Sequence, residues 1–298
     1  MLPVPASVWA VGASLVLASV WLVSGWPSAP ALAQGSAPAY QGYAYLPGVD
    51  LYYTDTGGSG VPIVLLHANS GSTDMWQPNA EAFAAAGYRA IAFDRRTSGR
   101  THPNEETGPQ PGTASGDLDA LADYLGIGRF HLIGTAAGGS VAFDYALWRP
   151  ERLLSLTVVA TGAGGLGDSQ LAATRARVGL PGFAQWPVQF RELSQEYMAR
   201  DPEGTERWVE ISSRSRHEEI PAQPARTPLT AAALQTITAP TLLLVGEADV
   251  LNPPWVIRLQ AEAMPGSEFH LISEAGHSIS WEQPDLFNRI VLEFIGRH

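Results

Sequence analysis

Three short segments of this chain carry residue types suited to catalysis. Gly134-Thr135-Ala136-Ala137-Gly138-Gly139 follows an apolar run, Gly246-Glu247-Ala248-Asp249 follows another, and Glu274-Ala275-Gly276-His277-Ser278 follows a third. An imidazole titrates near neutral pH and serves as a general base when a carboxylate holds one of its tautomers. Glycines on both sides of a bend let the backbone turn tightly and let a helix approach a strand. A phosphate-binding loop is the competing reading of residues 134–139, but no lysine follows Gly139, so that pattern fails. A lone loop histidine is more often a solvated surface residue, so His277 needs support from its surroundings.

The elements that would position these segments alternate between short apolar runs and amphipathic stretches, the rhythm of a parallel sheet flanked by helices. Tyr43 to Leu46 and Leu51 to Thr54, split by Pro47-Gly48, predict an opening hairpin. Ile63 to Leu66, Arg89 to Phe93, Phe130 to Ile133, Leu154 to Ala160, Thr241 to Val245 and Glu268 to Ile272 read as strands covered on both faces. Helices are expected at Met75 to Ala86, Ser115 to Leu125, Gly138 to Trp148, Pro254 to Ala263 and Pro284 to Ile295. The interval from about 161 to 237 lacks the strand rhythm and is expected to form a mostly helical cap. Its aromatics include Phe183, Trp186, Phe190, Tyr197 and Trp208. Each suits the cap's own small core, while together they suit the apolar wall of a substrate pocket, with Phe183, Trp186 and Trp208 as candidate substrate-binding residues.

With those segments in order, the chain resembles the α/β-hydrolase superfamily of esterases, epoxide hydrolases and C–C bond hydrolases. The resemblance implies an α/β fold with a mostly parallel eight-stranded sheet, helices on both faces and a helical cap. In that family a strand runs through G-x-nucleophile-x-G into a helix, which here puts Ala136 at the nucleophile position. The family's acid then corresponds to Asp249, and its histidine loop to Gly276-His277, with Trp281-Glu282-Gln283-Pro284 opening the last helix. His67-Ala68-Asn69-Ser70-Gly71 resembles the oxyanion-hole loop, with Ala68 in place of a glycine, and implies backbone donors at Asn69 and Ala137. His67 itself is expected to be structural. Asp94-Arg95-Arg96-Thr97-Ser98-Gly99-Arg100-Thr101 resembles a family turn with Thr97 in place of glycine, and a packing role is expected for it.

Alanine has no oxygen to donate, so serine-type acyl-enzyme chemistry is closed at position 136. A native departure and an inactivating substitution both fit, and the further departures at Ala68 and Thr97 favour the first. Thr135 and Ser140 are poor substitutes, one expected to point away across the turn and the other within the helix. Three functions remain open: a hydrolase of a small apolar ester, lactone or related carbonyl compound with water activated by His277, a non-catalytic small-molecule binder, and a cofactor-free lyase.

Composition narrows the rest. At 298 residues with 45% hydrophobic content, the chain can bury one large core. A net charge of −11 argues against nucleic-acid partners. The absence of cysteine excludes a thiol nucleophile and a Cys-zinc site. No cofactor or metal is expected, a small-molecule substrate is, and oligomeric state stays open. Residues before Asp50 carry no charged side chain, and an apolar run from Val8 to Val23 precedes Ala31-Leu32-Ala33. The expectation is a signal peptide over 1–33, a Pro/Ala/Ser/Gly-rich linker, and a secreted or periplasmic domain over 34–298 without stable membrane association. An uncleaved N-terminal anchor and a mis-set start are the alternatives.

Overall fold

The structure, a computed structural model, describes residues 39–162 and 182–298. The expected leader and linker lie outside the described residues. The described residues all fall within one compact unit. Its sheet contains β1 (Tyr40–Leu46), β2 (Val49–Asp55), β3 (Pro62–Leu66), β4 (Arg89–Phe93), β5 (His102–Pro103), β6 (Phe130–Thr135), β7 (Leu153–Val159), β8 (Thr241–Gly246) and β9 (Glu268–Ile272). The order is β1-β2-β4-β3-β6-β7-β8-β9, with the two-residue β5 pairing only with β2. From β4 to β9 the pairings along this path are parallel, while β1, β2 and β5 add antiparallel pairs at one end.

Period-two alternation in β3 explains why the sheet is buried on both faces. Val64 and Leu66 enter one core with Leu118, Leu132 and Phe143. Ile63 and Leu65 enter the other with Trp76, Phe83, Leu244 and Phe287. The helices of the first face are α1's counterparts across the sheet: α1 (Gln77–Ala85) lies with the second core, whereas α2 (Ala114–Tyr124) and α3 (Ala137–Trp148) cover the first. β9 departs from the expectation of full burial, because it is an edge strand with His270 and Leu271 exposed.

The described part of the cap holds α4 (Val188–Glu192), α5 (Gln195–Arg200), α6 (Pro202–Ser213) and α7 (Ala231–Leu234). Between α6 and α7 the chain is irregular, so the mostly helical expectation is corrected for residues 214–230. Pro221, Pro224 and Pro228 lie within that stretch and cannot donate to a helix. It is held by side chains instead, since Asp144 of α3 accepts from Arg226 N–H, Thr227 N–H and the Thr227 hydroxyl. After β8 come α8 (Pro254–Glu262), α9 (Ile279–Glu282) and α10 (Pro284–Ile295). No helix among the described residues is long and apolar enough to cross a membrane.

Candidate active site

Four adjacent parallel strands, β6 to β9, deliver their C-terminal ends to one edge of the sheet, the place where α/β sheets expose ligand-binding loops. At the end of β6 the chain turns through Ala136, whose φ of 50° and ψ of −115° are strained for a residue with a Cβ. The surrounding glycines are forced by contact. A Cβ on Gly134 would collide with the Gly138 carbonyl, one on Gly138 with the carbonyl oxygens of Leu66 and His67, and one on Gly139 with Thr161. α3 therefore starts directly against the ends of β3 and β6. Ala136 N–H donates to Val159 O at 2.9 Å, and the Thr161 hydroxyl bonds Ala136 O at 3.0 Å.

Ala160, after β7, also has a positive φ of 50°. Its carbonyl accepts from the Asn252 side chain at 2.9 Å, which ties the bend to the loop after β8. In that loop Asp249 accepts the N–H groups of Leu251 and Asn252 through Oδ1. Its Oδ2 lies 2.8 Å from His277 Nδ1, and both side chains are buried. A carboxylate is acceptor-only, so Nδ1 carries the shared proton and Nε2 is the nitrogen left for chemistry. Burial opposes the charged imidazole, but Asp249, with Glu192 and Glu282, outweighs it and pushes the His277 pKa up to about 9.

The histidine loop is clamped from two sides. His277 N–H donates to the Glu192 carbonyl at 2.7 Å, and the carboxylate of Glu282, itself buried, accepts the N–H groups of Gly276, Ser194 and Ser278. Glu192 also accepts the Ser70 hydroxyl at 2.7 Å, joining the cap to the loop after β3. Sequence assigns neither glutamate a role, although Glu282 falls in the segment that opens the last helix. An acid inside the apolar run Ile279-Ser280-Trp281-Glu282 was a readable signal of a buried partner, whereas Glu192 had none.

In the loop after β3, His67 is buried with Nδ1 2.6 Å from Ala68 O, and its Nε2 accepts Arg95 N–H at 3.1 Å. Burial, with Arg95 adding to it, drives its pKa down to about 3, which keeps the ring neutral. Asn69 and Ala137 both line a cavity of about 430 Å³, together with Arg95, Ser140, Asp144 and the irregular cap segment around Arg216. The turn after β4 is packed through most of its residues, while its Arg95 and Thr97 line the cavity. Asp94 accepts from Thr73 and Arg100 N–H, Arg96 makes a bidentate pair with Asp117, and Ser98 bridges to Arg216.

The aromatic wall expected from sequence requires correction. Trp208 is fully buried and packs with Leu193, Tyr197 and Ile211 of the cap and with Trp281 of the segment after β9, in a small core between the cap and the main domain. Phe183 and Trp186 meet edge to face at 5.5 Å, with Trp186 exposed, and none of the three lines the cavity beside Ala137. A mixed helix such as α6 buries its largest apolar side chain wherever a core is available, and here that core lies where the cap meets the main domain. Among the described residues no group of three or more acidic or histidine side chains is placed to hold a metal ion.

Comparison with known proteins points the same way as the geometry. The model of the alpha/beta hydrolase family matches residues 63–290. A 2-hydroxy-6-oxononadienedioate/2-hydroxy-6-oxononatrienedioate hydrolase from Burkholderia vietnamiensis is 30% identical over 262 residues, covering 83% of this chain and 91% of that protein. Among solved structures, a thermophilic esterase from Thermogutta terrifontis with malate bound aligns with a TM-score of 0.72 at 26% identity, over 87% of this chain and 99% of the esterase. An N-acyl homoserine lactone degrading enzyme aligns with a TM-score of 0.69 at 25% identity, over 85% of this chain and 99% of the other.

Proposed function

Because the chain belongs to the alpha/beta hydrolase family, we propose that it hydrolyses a small ester, lactone or related carbonyl compound of largely apolar skeleton by direct attack of water. His277 is the general base, Asp249 its orienting carboxylate, and the amides of Asn69 and Ala137 the oxyanion donors. Ala136 stands where the family carries its serine. The supporting observation is the buried 2.8 Å bond between His277 Nδ1 and Asp249 Oδ2, at the same sheet edge as the strained Ala136 bend. The relatives' named activities, on an oxo-dienedioate, an acyl homoserine lactone and esters, support a carbonyl substrate.

In this reading neutral His277 Nε2 takes a proton from water as its oxygen attacks the carbonyl carbon, and the amides hold the negative oxygen that forms. The imidazolium then returns the proton to the leaving group, releasing acid and alcohol. No covalent intermediate forms on the protein. A panel of short esters and lactones tests this. Slow turnover is expected, with His277→Ala reducing it about 10²- to 10⁴-fold. Ala136→Ser is expected to raise esterase activity by several orders of magnitude, with about 10⁶ as the ceiling. Silence of both the native chain and Ala136→Ser across the panel would sink the reading.

The methyl group at 136 favours a second reading, a binder that retains its ligand unaltered. Its signature is a saturable thermal shift with intact ligand recovered after hours, and recovery of altered ligand removes it. The proposal extends to export with cleavage after Ala33, and N-terminal sequencing of the exported protein should begin at Gln34.

A further inference from the structure

Arg95 is a buried cation with no carboxylate partner among the described residues. Only 8% of the residue is exposed, and among the described residues its Nε has no hydrogen-bond partner and no carboxylate lies within 4.0 Å to pair with it. Its guanidinium makes one bond, from Nη2 to the Asn69 side chain at 2.9 Å, while its backbone N–H donates to His67 and its carbonyl accepts Ser98 N–H. The nearby Asp94 is occupied by the N–H groups of Thr73 and Arg100. Burial, and then the neighbouring Arg216, pull the Arg95 pKa down to about 10, so it stays charged at neutral pH. A desolvated guanidinium without a counter-ion is costly, because buried charges are ordinarily paired.

The surroundings suit such an anion. Arg95 and Arg216 line the same cavity, one from the turn after β4 and the other from the irregular cap segment. The cavity also reaches Ala137 and Ser140 in the first turn of the twelve-residue α3, the positive end of its dipole. Of the acids lining it, Asp144 is engaged by Ser115, Arg226 and Thr227, and Glu218 is exposed. Ile220 and Val141 supply apolar lining for a short carbon chain.

We propose that this cavity is a carboxylate subsite: the substrate is an anionic carbonyl compound whose carboxylate is held by Arg95, supported by Arg216, while its scissile carbonyl lies at the Asn69 and Ala137 amides. The carboxylate subsite deepens the hydrolytic reading and rests on it only for the position of the scissile carbonyl. Arg95 thereby sets specificity, because Asn69 belongs to both the anion site and the oxyanion loop.

The test is calorimetric titration of the full protein with monomethyl glutarate and, separately, with dimethyl glutarate, alongside assays of hydrolysis of both. Monomethyl glutarate is expected to bind at least about tenfold more tightly, the loss for one charged hydrogen bond being on the order of tenfold to a hundredfold. Arg95→Met should erase the preference, Arg95→Lys should restore part of it, and Arg216→Met should weaken it. If Arg95→Met fails to fold, the exposed Arg216 variant and the salt dependence of the native preference decide. Equal or tighter binding of the dimethyl ester, or a preference untouched in folded Arg95→Met, overturns the subsite. A preference without hydrolysis keeps the subsite and leaves the hydrolase reading to the ester and lactone panel; hydrolysis of both esters without preference keeps that reading and overturns the subsite.

Discussion

At His277 burial and neighbouring charge pull in opposite directions, and the three carboxylates win, so the ring is held protonated until about pH 9. A general base must be neutral to work. We therefore expect the pH–rate profile of hydrolysis to rise through neutral pH and level off above about 9, measured as initial rates on a neutral ester. Asp249→Asn should shift that rise toward acid, since the carboxylate is the largest of the influences favouring the charged ring. It should also slow the reaction, because an amide can hold the wrong tautomer. A profile with its rise near pH 6.5 in the native chain would mean that the Asp249 contact is absent in solution.

The strand-to-helix junction between β6 and α3 is set by close contact. In an ordinary helix, Gly→Ala stabilises by up to about 1 kcal/mol. At Gly138 the sign should reverse, because the added methyl meets the carbonyl oxygens of Leu66 and His67. We expect Gly138→Ala to destabilise by about 1–3 kcal/mol in urea unfolding, and to lower activity further by pushing α3 away from the Asn69 loop. A second junction, between the cap and the histidine loop, depends on Glu282. Replacing it by Gln leaves one acceptor oxygen for the three N–H groups of Gly276, Ser194 and Ser278, at a cost of about 1–3 kcal/mol. Raised KM together with lowered kcat would show that the cap has loosened over the site.

For the whole molecule, three buried histidines bound the stability profile from opposite sides. His67 and His131 are held neutral, with pKa values lowered chiefly by burial to about 3 and about 4. The unfolded chain protonates them first as pH falls below about 6.5, so stability declines from there toward acid. His277 has a raised folded value, so its contribution is full below about 6.5 and is lost as pH rises through about 9. Thermal midpoints should peak near pH 6 to 7, and the activity of the native chain should still be climbing where its stability declines. A midpoint that stays flat from pH 6.5 to 9 in the native chain, and matches that of His277→Ala, would remove the linkage.

Much of this architecture was readable along the chain, for physical reasons that act locally. Strands buried on both faces must be short apolar runs, which is why the stretches at 63–66, 89–93, 130–133 and 241–245 identify themselves. A bend of the Ala136 kind needs small residues at 134, 138 and 139, and those glycines carry the family resemblance with the segments around Asp249 and His277. What the sequence could not convey is which distant groups share a dielectric environment. That β9 is an edge strand, that Trp208 packs between the cap and the main domain, that Glu192 and Glu282 close over the histidine loop, and that Arg95 is buried without a counter-ion among the described residues all depend on contacts between elements far apart in the chain. Burial and charge pairing are properties of the assembled volume, so the pKa of His277 and the anion-seeking character of the cavity were decided only by the tertiary structure.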